Sequence, residues 1–102
     1  MDLIQEIVER RSRKEFLDRD VPHEIVLEII RAAQLAPSCY NNQPARFVIL
    51  TGGERERLHP AISRGNAWAK DAPVLIALAS KPDLDCQITG RDYFMLGCGL
   101  QL

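Results

Sequence analysis

Four basic side chains and one hydroxyl lie within the five residues RRSRK, residues 10–14. Guanidinium, ammonium and hydroxyl groups bind phosphate through charge-assisted hydrogen bonds that contribute about 1.5–3 kcal/mol each. Cations at the end of a helix also stabilise the negative pole of its dipole by about 0.3–1 kcal/mol. The spacing therefore leaves two interpretations open, a phosphate clamp and a solvated helix end.

A second polar group lies in the segment APSCYNNQPARF, residues 36–47. Ser and Asn side chains often satisfy their own backbone in turns, which is the simpler interpretation. This connection has more turn-forming residues than a plain turn needs, and its hydroxyl, amide and backbone donors suit the edge of a planar heterocycle. Neither segment identifies a ligand when it is taken alone.

Together, the two segments resemble the FMN-dependent nitroreductase family in residue type and in separation. The matching positions are Arg10, Arg11, Ser12, Lys14 and Phe16, followed by Ala36, Pro37, Ser38, Asn41, Gln43, Pro44 and Phe47. Residues 69–79, AKDAPVLIALA, resemble the next strand of the family and its lead-in. Residues 92–102, DYFMLGCGLQL, resemble the start of its central helix.

The resemblance implies a role for each residue of the basic segment. Arg10 and Ser12 fall where family members bind the FMN phosphate, and Arg11 falls along the ribityl chain. Lys14 falls where a cation meets the N1/O2 edge of the isoalloxazine ring.

For the loop, the resemblance implies contact with a flavin that the other subunit of a homodimer holds. The residues concerned are Pro37, Ser38, Cys39 and Asn41. Asn66 falls near a position where the family often has an Asn that contacts flavin. Ala45 stands where the family often has Trp, so we expect more open space beside it.

The implied activity is hydride transfer from NAD(P)H through bound FMN to a nitroaromatic, a quinone or a similar electrophile. A flavin reductase, a dehalogenase and a flavin-cleaving enzyme share the same motifs and remain alternatives. A non-enzymatic domain that binds an anionic partner through RRSRK is a further alternative. A dinucleotide-binding loop is poorly supported, because Gly97 and Gly99 lack a third glycine and a preceding strand.

Composition narrows the class of protein. The 102 residues carry 13 basic and 14 acidic side chains and a net charge of -1, which gives no general attraction to nucleic acid or to a membrane surface. The amino-terminal residues lack the apolar core of a signal peptide, and we expect a cytoplasmic protein. Cys39, Cys86 and Cys98 are odd in number and widely spaced, so we expect neither a disulfide framework nor a structural zinc site.

Hydrophobic periodicity supplies the elements that position the two polar segments. It predicts an amphipathic helix over 2–11 with Asp2 as its cap and one buried stripe, and a helix from Pro22 to about Ala36. The predicted strands are 46–51 and 74–80, the latter covered on both faces. Short helical pieces are predicted at 54–59 and 67–71, with Trp68 as a packing residue, and Asp92 is expected to cap a last helix.

The last helix is apolar nearly all round, which is typical of a helix inside a larger core. We therefore predict that residues 1–102 are a single domain that forms about the first half of a nitroreductase-like fold. That fold is an α/β (α+β) type with a central, mostly antiparallel sheet wrapped by helices in a dimer.

Overall fold

Helices and strands follow each other in the mixed order that the sequence predicts. The computed structural model describes residues 4–88 and 90–102. Within them lie α1 (Gln5–Glu9), α2 (His23–Ala33), β1 (Arg46–Thr51), β2 (Val74–Ala79), β3 (Gln87–Ile88), β4 (Arg91–Asp92) and α3 (Phe94–Gln101). Short 3₁₀ helices at Cys39–Asn41, Gly52–Arg57, His59–Ala61, Arg64–Asp71 and Pro82–Leu84 occupy the connections.

Strands β1 and β2 form an antiparallel pair, with Phe47 opposite Leu78 and Ile49 opposite Ile76. Both strands are rich in β-branched and large apolar residues, which favour the pleated conformation. The predicted bounds of β1 are confirmed, and β2 ends one residue earlier than predicted. Ile76 is exposed, so β2 is not covered on both faces as predicted, because no element packs over that side chain within the described residues.

Helix α2 carries most of the small core. Val26 and Ile30 lie one turn apart and are buried, because residues at this spacing share one helix face. Helical periodicity predicts an inner face of Ile25, Val26, Ile29, Ile30 and Ala33, and this face is too wide, since Ile25 and Ile29 are exposed. The helix begins after Pro22, as predicted, and ends at Ala33, three residues before the predicted end.

The chain exposes more surface than a monomer of its mass normally does. Its accessible surface is 8503 Å², whereas about 5,800 Å² is typical of a folded protein of this mass. The radius of gyration is 15.8 Å, against about 13 Å for a typical domain of 100 residues. The apolar residues of α3 contribute, with Met95 and Leu96 both largely exposed.

Three details of the amino- and carboxyl-terminal elements differ from prediction. Helix α1 is shorter than predicted and its Ile7 and Val8 are exposed rather than buried, because nothing in the described chain packs over them. Asp2 lies outside the described residues. Asp92 does not cap α3; it lies in β4, where its Oδ1 accepts a hydrogen bond of 2.9 Å from Gln87.

The β3–β4 hairpin was missed because two-residue strands show no periodicity. No helix in the described part of the chain is both long enough and apolar enough to cross a membrane.

The α2 core provides a matched pair of substitutions. Ile30→Ala should lower the free energy of unfolding by about 2–4 kcal/mol, because Ile30 is 8% exposed and its removal leaves a cavity. Ile29→Ala, the same change one residue away at 55% exposure, should cost less than about 1 kcal/mol. Urea denaturation measures both, and equal losses would contradict the assignment of the buried face.

Candidate functional site

The basic segment follows α1 in an extended, exposed conformation. Nη1 of Arg10 lies 3.5 Å from Oγ of Ser12, at the long limit of a hydrogen bond, so the predicted phosphate-binding pair is together. Arg11, predicted to lie along the ribityl chain, bonds to backbone carbonyl groups in the structure. Its Nη1 donates to the carbonyl oxygens of Val8 at 3.1 Å and of Arg10 at 2.8 Å, where the end of α1 leaves carbonyl groups without helical partners.

Lys14 lies at the edge of an open cavity of about 400 Å³. The other lining residues are Glu15, Phe16, Asp18 and Asp71. Phe16 stacks on Trp68, with ring centroids 6.1 Å apart, which confirms the predicted packing role of Trp68. This stack packs the residues just after the basic segment against the 3₁₀ helix Arg64–Asp71.

Asn66 lies in that same 3₁₀ helix and is exposed. Its Nδ2 donates to Oγ of Ser63 at 3.0 Å, and its backbone N–H donates to the Ser63 carbonyl. The flavin contact suggested for Asn66 stays a prediction.

The loop of residues 37–44 has an unusual backbone. Tyr40, Asn41 and Gln43 have φ angles of 51°, 56° and 51°, in the left-handed region. This region costs about 1–2 kcal/mol for most residues other than glycine, and Asn tolerates it best. Such conformations persist where surrounding contacts hold them, and they cluster at functional sites.

Hydrogen bonds and burial hold both ends of this loop. Oγ of Ser38 accepts a hydrogen bond of 2.9 Å from the backbone N–H of Gln43, which closes the loop on itself. Pro44 is fully buried, and its carbonyl accepts a hydrogen bond of 3.0 Å from Oγ of Ser80. Ala45 lines a cavity of about 600 Å³, which agrees with the expected open space beside it.

A disulfide joins Cys39 in the loop to Cys86. The expectation that the cysteines form no disulfide framework was wrong for this pair, because the fold brings together two residues that are 47 apart in sequence. Closing a loop of 47 residues is worth about 4 kcal/mol in the chain-entropy description of disulfides. Cys39 therefore has no free thiol, and its predicted contact with flavin can involve only its backbone or its apolar surface.

Asp85 provides a second link between the loop and the segment around Cys86. Its Oδ1 accepts hydrogen bonds from Nδ2 of Asn42 at 3.1 Å and from the backbone N–H of Cys86 at 2.8 Å. Its Oδ2 is buried without a hydrogen-bond partner among the described residues. A Cβ on Gly97 would stand 3.5 Å from this oxygen, which is an ordinary van der Waals contact, so α3 lies beside Asp85 with room for a methyl group.

The basic segment and the loop line different cavities. Lys14 lies at the edge of the cavity of about 400 Å³, whereas the loop faces an apolar cavity of about 270 Å³. That second cavity is lined by Pro37, Ser38, Cys39, Tyr93, Leu96, Gly97 and Leu100. This separation agrees with two groups that contact different flavins, and the predicted roles of the individual residues remain predictions.

Comparison with known proteins identifies the family. The profile of the nitroreductase family matches residues 7–96, and the chain belongs to that family. A relative from Methanothermobacter thermautotrophicus, provisionally named an NADH dehydrogenase/NAD(P)H nitroreductase, is 30% identical over the whole chain and 58% of its own length. The chloronitrobenzene nitroreductase of Comamonas testosteroni is 45% identical over 59% of this chain and 25% of its own length.

A solved structure confirms the nitroreductase-like fold. A protein from Desulfovibrio desulfuricans, provisionally named a nitroreductase and solved in complex with FMN, superposes with a TM-score of 0.79 at 28% identity. The superposition covers 95% of this chain and 55% of that one. The chain thus spans somewhat more than half the length of the relative that it matches throughout and of this neighbour.

Three residues near the loop were not singled out from the sequence as part of the site: Asp85, Cys86 and Gly97. Cys86 was visible as a cysteine, but disulfide connectivity does not follow from sequence spacing. Asp85 and Gly97 carry no local motif, and only the packing of α3 against the loop brings them together.

The left-handed conformation of Tyr40 can be tested by comparing glycine with alanine. Tyr40→Gly should be more stable than Tyr40→Ala by about 1 kcal/mol, because only glycine adopts this φ without steric cost. At the exposed helical position Glu28, the order should reverse, with Glu28→Gly less stable than Glu28→Ala by about 1 kcal/mol. Urea denaturation measures all four variants, and the same order at both positions would exclude a left-handed residue 40.

Proposed function

We propose that this protein is an FMN-dependent oxidoreductase that carries hydride from NAD(P)H to a nitroaromatic, a quinone or a similar electrophile. The observation that carries the proposal is the exposed Arg10–Ser12 pair, which stands within the family-matched residues at hydrogen-bonding distance. The solved neighbour with FMN and the chloronitrobenzene nitroreductase support the cofactor and the acceptor class.

The basic segment has the donors that an FMN phosphate requires. Among residues 4–88 and 90–102, the ion pairs are Arg57–Glu54 and Lys81–Asp83, so neither Arg10 nor Lys14 is neutralised by one. Arg10 supplies a planar guanidinium fork and Ser12 a hydroxyl, both exposed. This donor set fits a phosphate dianion, which accepts several charge-assisted hydrogen bonds.

FMN, when bound, supplies the hydride chemistry, and the residues of the chain position it and adjust its charge balance. Lys14 is the residue proposed to meet the N1/O2 edge, where reduction adds negative charge. A cation about 4 Å from a unit negative charge contributes up to about 4 kcal/mol at an effective dielectric of 20. Lys14 is exposed and shares its cavity with Asp18 and Asp71, so its contribution here is smaller.

We propose a homodimer in which residues 37–41 of one subunit contact the flavin held by the basic segment of the other. The surface beyond that of a typical monomer is roughly 2,700 Å² for one chain, so the described residues leave surface for further packing partners, a second subunit among them. The loop and the basic segment line separate cavities, which supports their serving different flavins. A cytoplasmic location, where NAD(P)H is available, completes the proposal.

Flavin uptake and reduction test the proposed activity. The purified protein supplied with FMN should be yellow, sediment as a dimer, and lose its visible absorption when NADH or NADPH is added without air. A nitroaromatic or a quinone should then restore the absorption, because reduced flavin passes hydride to the acceptor. Protein that takes up no FMN, while still binding anionic partners, would instead support the interaction-domain alternative.

Arg10 should discriminate FMN from riboflavin, which lacks the phosphate. Arg10→Ala should weaken FMN binding by about 10- to 100-fold, the equivalent of one charge-assisted hydrogen bond, and leave riboflavin binding nearly unchanged. Arg13→Ala, which removes a cation of the same segment that has no assigned contact, should change neither affinity by more than about twofold. Equal losses for the two variants would show general electrostatic attraction rather than a phosphate site.

A further inference from the structure

The Cys39–Cys86 disulfide lies between two parts of the chain that differ in how firmly they are held. On one side is the loop of residues 37–44, with three residues in left-handed conformations. On the other is the segment of Asp85 and Cys86, which is tied to α3 through the hydrogen bond from the backbone N–H of Tyr93 to the Cys86 carbonyl at 3.0 Å. The disulfide therefore fastens a strained loop to the start of a helix.

We propose that Cys39 and Cys86 form a reversible thiol–disulfide pair that sets the conformation of the loop of residues 37–44. Its partner is a dithiol reductant, either a small molecule or an exposed protein dithiol. The effect on flavin rests on the proposed function, because it needs this loop to contact FMN. The effect on the loop itself does not.

The reaction is thiol–disulfide exchange. A thiolate of the dithiol attacks Sγ of Cys39, the Cys39–Cys86 bond breaks, and Cys86 leaves as a thiolate that takes up a proton. The second thiol of the reductant then displaces Cys39 from the mixed disulfide. The reductant becomes a disulfide and loses two electrons and two protons, and Cys39 and Cys86 gain them as two thiols.

Two features of the site favour this exchange. Both cysteines are half-buried rather than buried, and Cys39 lines the open apolar cavity of about 270 Å³, so the disulfide lies beside a space open to solvent. Nδ2 of Asn42 lies 3.6 Å from Sγ of Cys86 and donates to it, which stabilises the departing thiolate. If the protein works in the cytoplasm, reducing conditions there make a permanent structural disulfide uncommon and a switching pair more typical.

After loss of the disulfide, Asn42 provides the side-chain links between the loop and this segment in the described part of the chain, through its hydrogen bonds to Oδ1 of Asp85 and to Sγ of Cys86. Left-handed Tyr40, Asn41 and Gln43 are then free to return to common backbone angles, because strained conformations persist only where the surroundings impose them. Pro44 remains buried, so the change is confined to the loop amino-terminal to it.

Amide hydrogen exchange on the purified protein, oxidised and after treatment with dithiothreitol, tests the proposal. Under denaturing conditions the oxidised protein should show one thiol, that of Cys98, and the reduced protein three. Amides of residues 38–43 should exchange at least about tenfold faster in the reduced protein, because the free energy of local opening is then lower. Amides of β1 and β2 should exchange at unchanged rates.

Three cysteine variants test and control the proposal. Cys86→Ser should exchange in residues 38–43 at the fast rate with or without reductant, and Cys39→Ser should behave in the same way. Cys98→Ser keeps the pair and should respond like the wild type. Unchanged protection of β1 and β2 shows that the variants are folded.

Flavin affinity separates this proposal from the proposed function. Once the reductant has been removed without air, the reduced protein should bind FMN about three- to tenfold more weakly than the oxidised protein, since a mobile loop must be ordered again. If neither form binds FMN, the proposed function fails, whereas a difference in loop exchange still supports the switch. Equal loop exchange in the two forms would overturn the switch even if FMN binds well.

A metal site is the competing result. The ligand atoms of Cys39, Asp85 and Cys86 lie within 4.8 Å of one another, and two thiolates with a carboxylate suit zinc. In that case the reduced wild type retains zinc that Asp85→Asn loses, and that zinc keeps the loop amides protected from exchange. This pair of results would assign a metal site and overturn the redox proposal. Reduced protein that binds no zinc and exchanges rapidly in the loop supports it.

Discussion

The close contact of Pro44, Asp85 and Gly97 fixes the geometry around the loop. Pro44 is fully buried, Asp85 is nearly so, and Gly97 of α3 is buried beside them. This contact joins three parts of the chain that are remote in sequence: the loop before β1, the segment before the β3–β4 hairpin, and the last helix. The disulfide and the hydrogen bond from Asn42 to Asp85 depend on it, because both need the loop to lie beside residues 85 and 86.

The same contact explains how a chain with few buried apolar side chains can hold a loop with unfavourable backbone angles. Few apolar side chains are buried in the described residues, and Val26 and Ile30 of α2 are prominent among them. Hydrophobic burial therefore contributes little around residues 37–44, and cross-links and hydrogen bonds have to impose the left-handed backbone. A loop that is fixed in this way is preorganised for the binding role proposed for it, because less conformational entropy is lost when a ligand binds.

The basic segment is organised differently. It has no regular structure, and its links to the rest of the chain are the helix-end hydrogen bonds of Arg11 and the Phe16–Trp68 stack. Arg10, Ser12 and Lys14 are exposed, as their proposed role in binding a charged cofactor requires. The two halves of the candidate site thus differ in how they are held, with an exposed cationic segment proposed to bind phosphate and a cross-linked loop proposed to contact a planar ring.

Local sequence determined the elements that depend on hydrophobic periodicity and on proline or glycine residues at their ends. A β-branched and aromatic run followed by two glycines placed β1, Pro22 placed the start of α2, and the paired motifs placed the chain in the nitroreductase family. Spacing could not decide which apolar residues are buried, because burial of Ile7, Ile29 or Ile76 depends on what packs over each of them. The tertiary structure alone decided the Cys39–Cys86 pairing, the role of Asp85 and the closeness of Gly97, since these contacts join residues more than ten positions apart and leave no local signal in the sequence.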